Sequence, residues 1–332
     1  MFFLFISNTD LAAEPGLSAA GASVEVLPLT SVADADVIRF GRPSAVDCFP
    51  MDPEGRPTPA IITRAAVVSA DIPVTIVRAG TVLPPEPPYV ELGAEVGKDP
   101  RKGPSVADAR KIFERARRLA QNRAPRGGRI MLAESVPGGT TTALLVLRAL
   151  GHDVMVSSAS KINPISLKEK IWAEASARAG IAMGDLREDP LKAVEELGDP
   201  MQSAVLGFIA GMRVESQVVL AGGTQMLAVA ACLRALGDYR PVTVATTKYI
   251  AGDPTSSFAS LSAVLGVDTY VAPLDFSASP FKGLRDYEDG YVKEGVGAGG
   301  SALYASWNGV DISEVIRATN SIYAEIEASS IK

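Results

Sequence analysis

The sequence is poor in the residues that carry most metal-centre and triad chemistry. Among 332 residues it has one histidine, His152, and two cysteines, Cys48 and Cys232. Two cysteines do not make a disulfide framework or a metal cluster, and a single histidine argues against a zinc site and a Ser-His-Asp triad. His152 directly follows Gly151 and is interpreted as a polar residue in a turn between a helix and a strand. Any chemistry must therefore depend on Glu, Asp, Lys, Ser, Thr and backbone groups.

The sequence also lacks an excess of positive charge and any long apolar run. The chain has 32 Lys and Arg against 38 Asp and Glu, a net charge of −6, whereas a nucleic-acid-binding face needs an excess of basic residues. No run approaches the roughly 20 apolar residues of a membrane helix. The first residues, MFFLFISNTD, lack the basic region and the long apolar run of an export signal. We therefore expect a cytoplasmic protein with no nucleic-acid or membrane partner, in which Phe2–Ile6 is a buried first strand.

The stretch over residues 129–151 predicts a strand, a glycine turn and a helix. Residues 130–132 form the short apolar run of a parallel strand covered on both faces, and Glu134 stands at its carboxyl end. Residues 138–142, GGTTT, combine two glycines that allow a sharp turn with three threonines that begin the helix. A glycine turn at a helix N-terminus suits an anion, most often a phosphate. The alternative is a tight turn with no ligand, because the segment matches neither the Walker A nor the GxGxxG pattern.

A second segment repeats this pattern. Residues 218–221 predict a strand, residues 222–224 a glycine turn and residues 225–236 a helix. Both helices end in the sequence LRALG, and we expect a strand after each of them, at 154–157 and at 242–246. Two such units imply right-handed crossovers in one parallel sheet, with two helix N-termini directed at one crevice. The plainer alternative is that both are only well-formed strand-to-helix turns.

The whole pattern predicts an α/β protein with a Rossmann-like, mostly parallel central sheet, helices on both faces and extra helices from the chain ends. We expect one domain over residues 1–332, with a core at about 70–301 on which residues 1–69 and 302–332 pack. A capping box at Ser105 and Asp108 predicts a further helix start. The remaining predicted strands are 24–29, 37–40, 73–77 and 269–272, and the remaining predicted helices are 59–69, 167–179, 191–211, 282–287, 302–307 and 312–326.

Two segments resemble a known family. They are ESVPGGTTTA at residues 134–143 and EGVGAGG at residues 294–300. Both are similar to the nicotinate-nucleotide:dimethylbenzimidazole phosphoribosyltransferases of cobalamin biosynthesis, and most of all to the archaeal-type branch of that family. The resemblance is strongest over residues 129–301, where it includes the turn at 222–223 and the segment FSA at 276–278, and it is thin before residue 70.

The resemblance implies a reaction without a metal or another cofactor. The ribose phosphate of nicotinate mononucleotide passes to a benzimidazole nitrogen with inversion at the anomeric carbon, which gives α-ribazole phosphate and nicotinate. A benzimidazole is a weak nucleophile while its ring nitrogen keeps its proton, so a carboxylate near that N–H is expected to act as base. The family match assigns this base to Glu294. Glu134 matches a second carboxylate, which positions substrate or supports charge on the ribose. The resemblance also implies a homodimer.

The residues that bind substrate and phosphate follow from the same match. They are Gly138, Gly139, Thr140, Thr141, Lys170, Gly222, Gly223, Ser277, Gly295 and Gly297. Lys168 is the alternative to Lys170, and either lysine has the plainer interpretation of a solvated helix residue. The corresponding plainer interpretations are a helix cap for Ser277, an exposed helix-end residue beside Lys293 for Glu294, and an arginine partner for Glu134.

Two departures from the family leave the substrate open. The bacterial glycine loop continues Asn-Thr-Thr, whereas three threonines follow Gly139 here, and the bacterial residues that grip the benzimidazole have no counterpart in the N-terminal half. The acceptor is therefore dimethylbenzimidazole, another benzimidazole, a phenol or adenine. The proline-rich segment 84–104, with Tyr89, is predicted to form a lid. The rival functions are a non-catalytic nucleotide sensor and a dinucleotide-dependent oxidoreductase, and the second lacks the GxGxxG pattern and a ribose-binding acid.

Overall fold

The computed structural model describes residues 1–47, 49–125 and 127–330, so Cys48 lies outside the described residues. Within them, seven parallel strands form one sheet in the order β3-β2-β1-β4-β5-β6-β7. The strands are β1 (Phe2–Ile6), β2 (Val74–Arg78), β3 (Val90–Glu91), β4 (Arg129–Ser135), β5 (Gln217–Ala221), β6 (Val242–Thr247) and β7 (Asp268–Ala272). The predicted α/β class with a parallel sheet is confirmed.

Helices cover both faces of the sheet, as the class requires. They are α1 (Thr30–Phe40), α2 (Ala60–Ser69), α3 (Ala109–Arg123), α4 (Gly139–Ala149), α5 (Ile165–Ala179), α6 (Pro190–Leu197), α7 (Pro200–Gly211), α8 (Thr224–Ala235), α9 (Lys248–Ala251), α10 (Phe258–Leu265), α11 (Lys282–Arg285), α12 (Ala298–Trp307) and α13 (Ile312–Ser330). None of the described helices is long and apolar enough to cross a lipid bilayer.

Strand β1 lies inside the sheet, between β2 and β4, and contributes side chains to both hydrophobic cores. Its five residues are buried, and successive side chains point to opposite faces. Phe3 and Phe5 contact the ring of Phe208 on α7, with centroids 4.7 and 5.6 Å away. Phe2 and Leu4 join the other core, which α1, α2, α12 and α13 cover. Residues 1–69 therefore contribute an inner strand of the sheet as well as two helices of one layer.

The order of the strands reverses between β1 and β4. From β1 the chain moves outward to β2 and β3, then returns to β4 on the other side of β1 and continues to β7. In an open parallel sheet the crevice at such a switch point, outside the carboxyl ends of the strands, is where ligands bind. Phe5 pairs with Glu134 and Ile6 with Ser135, so the end of β4 lies at this crevice.

Two predicted N-terminal strands are wrong. Residues 24–29 form no strand, and Leu27–Leu29 is a single turn of 3₁₀ helix. Residues 37–40 are the last turn of α1. The apolar residues Val32, Ala35 and Ile38 are buried at three-residue spacing, which places them on one side of a helix in the core shared with α2. The strand predictions relied on the strand preference of branched residues, and helix packing overrides that preference here.

Three further boundaries differ from the predictions. Residues 154–157 are not a strand, because β5 rather than this segment pairs with β4. The helix predicted at 191–211 is two helices, α6 and α7, which are separated by residues 198–199. The Asp199 side chain caps α7 by accepting from the Gln202 amide. Helix α3 begins at Ala109 instead of Ser105. The Ser105 hydroxyl donates to loop carbonyls at 2.7 and 2.8 Å and does not cap a helix by accepting from its first amides.

Candidate active site

A cavity opens at the switch point, beyond the carboxyl ends of β1, β4 and β5. Its volume is about 970 Å³, including the solvent in its mouth. The structure brings both glycine turns and both predicted carboxylates to its wall. The lining residues are those at 17–21, 30, 34, 50–52, 56–59, 134–140, 158–159, 223–225, 250, 292 and 294–296.

Glu294 lies in a loop with an uncommon backbone, residues 291–297, which we call the Glu294 loop. Val292, Lys293 and Val296 have φ angles of 60°, 58° and 58°, in the left-handed region that β-branched residues avoid. The amides of Lys293 and Glu294 each bond to the carbonyl two residues earlier, at 2.6 and 2.8 Å, so two γ-turns follow one another. A residue held in such a conformation costs about 1–3 kcal/mol. Surrounding contacts must therefore hold the loop.

The Glu294 carboxylate is fixed by four donors. Its Oε1 accepts from the amides of Gly295 and Gly299, both at 3.2 Å, and its Oε2 accepts from the Thr247 amide at 2.7 Å and the Thr246 hydroxyl at 3.2 Å. A Cβ at Gly299 would lie 2.2 Å from the Thr246 carbonyl carbon, so glycine is needed for α12 to approach β6. Burial raises the pKa of Glu294 to about 7, although the backbone and hydroxyl donors oppose this by favouring the charged form.

Glu134 is the penultimate residue of strand β4 and is 2% exposed. Its Oε2 accepts from the side-chain amide of Gln225 at 2.8 Å. A side-chain amide therefore occupies the place of the arginine that the plainer interpretation proposed. A Cβ at Gly139 would lie 2.3 Å from the Gln225 Nε2, so this glycine lets the amide reach Glu134. Burial raises the pKa of Glu134 to about 8, and the charges of Glu294 and Asp199 add to the rise.

The surroundings of the two carboxyl groups favour different protonation states. The charge of Glu294 favours the protonated form of Glu134, which can donate a hydrogen bond. The amides and the hydroxyl that donate to Glu294 favour its charged form, which can accept a proton. These surroundings suit Glu134 to the role of donor and Glu294 to that of base.

Two helix N-termini also form part of the wall. Helix α4 begins after Gly138, which caps it at a φ of 79°, and helix α8 begins after Gly223. The first amides of a helix have no partner within the helix, and the helix dipole is positive there. Thr224 lines the cavity at 2% exposure, and its hydroxyl is buried without a hydrogen-bond partner, as is that of Thr141. The unpaired amides of the two helix N-termini are suited to a phosphate.

Three of the predicted binding residues lie directly behind the wall. Thr141 is fully buried in the first turn of α4. A Cβ at Gly222 would lie 3.4 Å from the Glu134 Oε1, so this glycine borders the carboxyl group. Gly297 caps α12, and a Cβ there would lie 2.6 Å from the Ala133 side chain. Gly138, Gly139, Thr140, Gly223 and Gly295 line the cavity itself.

Lys170 and Ser277 do not lie at the cavity. The Lys170 side chain is 65% exposed and pairs with Glu174 at 3.8 Å on the outer face of α5. Ser277 is exposed, and its amide donates to the Asp275 side chain. Lys168 is buried instead, because two residues along a helix turn the side chain to the opposite face.

The segment 84–104 does not form part of the cavity wall. Its strand β3 pairs with β2 at the sheet edge, and Gly97 bonds through its backbone to Asn8 and Asp10. Tyr89 packs against the core that includes α1 and α2. The predicted lid is therefore wrong in position, since residues 17–21 and the loop before α2 cover the cavity instead.

Sequence reasoning missed three charged residues of the wall, Asp34, Asp52 and Arg56. Asp34 on α1 accepts from the hydroxyls of Thr58 and Ser135 at 2.7 and 2.8 Å, and burial raises its pKa to about 6. Arg56 lies 3.4 Å from the ring centroid of Tyr291 and forms ion pairs with carboxylates at 2.7–2.8 Å. The alternating charges of DPEGR, residues 52–56, were the local signal for this cluster.

The geometry offers an anion site rather than a metal site. Of the described residues, no three His, Cys, Asp or Glu side chains are grouped so that they could hold a metal ion. The two helix N-termini and the Thr224 hydroxyl are the groups that could hold a phosphate.

Relatives of this chain are found among archaeal proteins. It is 48% identical over 322 residues to a UPF0284 protein of Thermococcus gammatolerans, with 95% of this chain and 96% of the relative covered. The chain belongs to the UPF0284 family. Family members in Pyrococcus furiosus and Methanosarcina acetivorans are 44% identical over 328 residues and 41% over 314 residues, covering 98% and 93% of this chain and 98% and 90% of the relatives. No family model matches the sequence.

Solved structures show which fold this family member shares. The nicotinate-nucleotide-dimethylbenzimidazole phosphoribosyltransferase of Thermus thermophilus superposes with a TM-score of 0.59 at 16% identity, covering 97% of this chain and 82% of that one. A second structure, of CobT from the same organism, gives 0.59 at 15% identity and covers 97% and 83%. The fold expected from the resemblance is confirmed.

Replacing Glu134 by Gln is expected to stabilise the protein at high pH. The pKa of this group rises from 4.5 to about 8 on folding, so its contribution to stability is present below pH 4.5 and is lost as the pH rises through 8. The variant has no titrating group at this position, so it does not lose stability in this way. The difference in free energy of unfolding, variant minus wild type, should therefore increase by roughly 2–4 kcal/mol from pH 5 to pH 8.5. Urea unfolding at both pH values measures the difference. The exposed Glu188→Gln is the control, and an equal effect of Glu134→Gln at both pH values would contradict the assignment.

Proposed function

We propose that this protein transfers the phosphoribosyl group of nicotinate mononucleotide to a benzimidazole-type base, giving α-ribazole phosphate and nicotinate. The observation that carries the proposal is that Glu294, Glu134 and two helix N-termini share one cavity at the switch point. The shared fold with a phosphoribosyltransferase and the glycine motifs support it further. The archaeal relatives match the branch that the motifs resemble.

The phosphate is assigned to the helix N-termini. The dipoles of α4 and α8 add at the point where their first turns meet the cavity, and the Thr224 hydroxyl can donate there. This placement directs the ribose towards Glu134. The protonated carboxyl can donate to a ribose hydroxyl through Oε1, since Gln225 occupies Oε2. Substrate positioning is thus favoured for Glu134 over stabilisation of positive charge.

Glu294 is assigned the role of base. The ring N–H of the acceptor donates to the carboxylate, which takes the proton while the other ring nitrogen attacks the anomeric carbon. The bond between that carbon and the nicotinate nitrogen breaks, and its electron pair neutralises the positively charged ring nitrogen. Attack opposite to the leaving group converts the β-nucleotide into an α-product. The pKa of Glu294, near 7, suits proton transfer at neutral pH.

A screen of acceptors tests the reaction directly. The protein is incubated with nicotinate mononucleotide and, in separate reactions, with dimethylbenzimidazole, benzimidazole, a phenol and adenine, and free nicotinate is measured by chromatography. Release that depends on the acceptor is expected, with azoles the best substrates because their N–H can donate to Glu294. Binding of the nucleotide without release under any acceptor would overturn the proposal and favour a nucleotide sensor.

Glu294→Gln is expected to separate binding from turnover. The amide keeps the shape and cannot accept the proton, so kcat should fall by a factor on the order of 10² to 10⁴. The Kd for nicotinate mononucleotide should remain within about threefold, because the phosphate site is elsewhere in the cavity. Steady-state kinetics and calorimetry measure the two quantities, with Glu188→Gln as control. Unchanged turnover would remove Glu294 from the mechanism.

Thr224→Val tests the phosphate site. The substitution removes the buried hydroxyl without changing the shape, and because that hydroxyl has no partner in the protein, the free energy of unfolding should not decrease. Loss of one hydrogen bond to a charged phosphate should raise the Kd for nicotinate mononucleotide about tenfold or more. Thr319→Val, at a buried threonine on α13, is the matched control. An unchanged Kd for the Thr224 variant, measured by calorimetry, would contradict the placement of the phosphate.

A further inference from the structure

A buried ion pair lies directly behind Glu294. The Nζ of Lys293 is 2.9 Å from the Asp253 carboxylate, and the two side chains are 6% and 3% exposed. The same Nζ donates to the Ser160 carbonyl at 3.2 Å. Lys293 is absent from the described residues that line the cavity. Its charge is therefore engaged by the protein, on the side of the loop that faces away from the site.

Asp253 is held ionised in this position. It accepts from the Ser157 hydroxyl at 2.5 Å and from the Thr255 amide and hydroxyl at 2.9 and 2.7 Å. Burial alone would raise the pKa of Asp253, but these donors and Lys293 lower it to about 2. Asp253 therefore carries its negative charge at any pH at which the protein is assayed.

The two members of the ion pair connect the Glu294 loop to a second loop of the cavity wall, because Lys293 donates to the Ser160 carbonyl and Asp253 accepts from the Ser157 hydroxyl. Residues 155–163 include Ser158 and Ala159, which line the cavity, and the Val292 amide donates to the Ala159 carbonyl at 2.8 Å. Lys168 supports the same loop from α5 by donating to the Ser157 carbonyl at 2.7 Å. The Glu294 loop is thus attached to this second loop by the ion pair and by a backbone hydrogen bond.

The Glu294 loop needs such an attachment because its backbone is strained. Two valines and a lysine have positive φ, and a loop free to relax would move them out of the left-handed region. Such relaxation would displace Glu294, which lies between Lys293 and Val296. A buried ion pair is a poor source of net stability, since desolvation offsets the attraction. Its location at this loop is better explained by the geometry that it fixes.

We propose that the pair formed by Lys293 and Asp253 positions Glu294 for proton transfer, an inference that rests on the proposed phosphoribosyl transfer. Lys293 acts through the backbone of the Glu294 loop and is a positioning residue. The two competing roles for the pair are a purely stabilising contact and a direct contact between Lys293 and the substrate phosphate.

Four variants of the full chain separate these roles. Lys293→Met removes the charge and keeps the length of the side chain, Lys293→Arg keeps the charge, and the double variant Lys293→Met with Asp253→Asn removes both charges. Glu169→Gln is the matched control, because it breaks the pair of Arg148 and Glu169, which joins α4 to α5 away from the cavity. The measurements are kcat, KM for nicotinate mononucleotide, Tm and hydrogen exchange of residues 291–297.

The single variant Lys293→Met should lower kcat roughly 10- to 100-fold, since small displacements of a catalytic group have effects of this size. Its KM should stay within about threefold, and exchange of the Glu294 loop should become about tenfold faster or more. Lys293→Arg should recover part of kcat. The double variant should recover Tm, because no unpaired buried charge remains, while kcat stays low. The control should leave kcat and exchange of the loop unchanged.

Three outcomes would overturn the inference. Recovery of kcat together with Tm in the double variant would show a purely stabilising pair. A rise in KM with kcat unchanged would show that Lys293 contacts the substrate. Unchanged exchange in Lys293→Met would show that the pair does not hold the loop. Absence of turnover in the wild type would instead refute the proposed reaction, and the exchange measurement, which needs no activity, would still decide whether the pair holds the loop.

Discussion

The site depends on backbone amides that satisfy carboxyl groups buried in a cavity of predominantly acidic charge. Among the described lining residues, Arg56 is the one cationic side chain, and its guanidinium is already paired with carboxylates. Glu294 is instead held by amides of its own loop, of α12 and of the end of β6. Amides favour the charged carboxylate without fully cancelling its cost of burial, so its pKa remains near neutrality. A lysine or arginine in the same place would have lowered that pKa and weakened the base.

The strand order explains why distant parts of the chain meet at this cavity. The crossover after β1 leads to one side of the sheet and the crossover after β4 leads to the other. Because β1 and β4 are neighbours, the segments after both strands open at the same edge of the sheet. Glu134 arrives there directly at the end of β4. Glu294 arrives from beyond β7, and the close approach of Gly299 to β6 brings α12 and the loop before it back across the sheet. The N-terminal residues complete the wall, with Asp34 hydrogen-bonded to Ser135 at the end of β4.

Local patterns were sufficient for the two strand-turn-helix units and for the parallel sheet, because glycine turns and apolar runs are encoded over a few residues. Local patterns alone did not single out Glu134 and Glu294, which needed the family resemblance as well. Asp34 had no such signal, because its position depends on the packing of α1 against α2. Arg56 had only the alternating charges around it, because its position depends on carboxylates as distant as Asp286. The lysine assignment shows the same limit. The alternatives Lys168 and Lys170 lie on opposite faces of α5, and the loop at residues 155–163 buries the face that carries Lys168.

The Glu294 loop carries two energetic costs, backbone strain and buried charge, that an ordinary loop between secondary-structure elements avoids. Other left-handed positions in and beside it are occupied by glycine, at Gly290, Gly295 and Gly297, whereas Val292 and Val296 adopt the same sign of φ with branched side chains. Both valines line the cavity, so replacing them with glycine would relieve the backbone and remove part of the apolar wall. The buried charges of Lys293 and Asp253 add a desolvation cost at the same place. Strain and buried charge therefore coincide at one loop, beside a carboxylate whose pKa is shifted towards neutrality. This combination is typical of a site selected for chemistry rather than for stability.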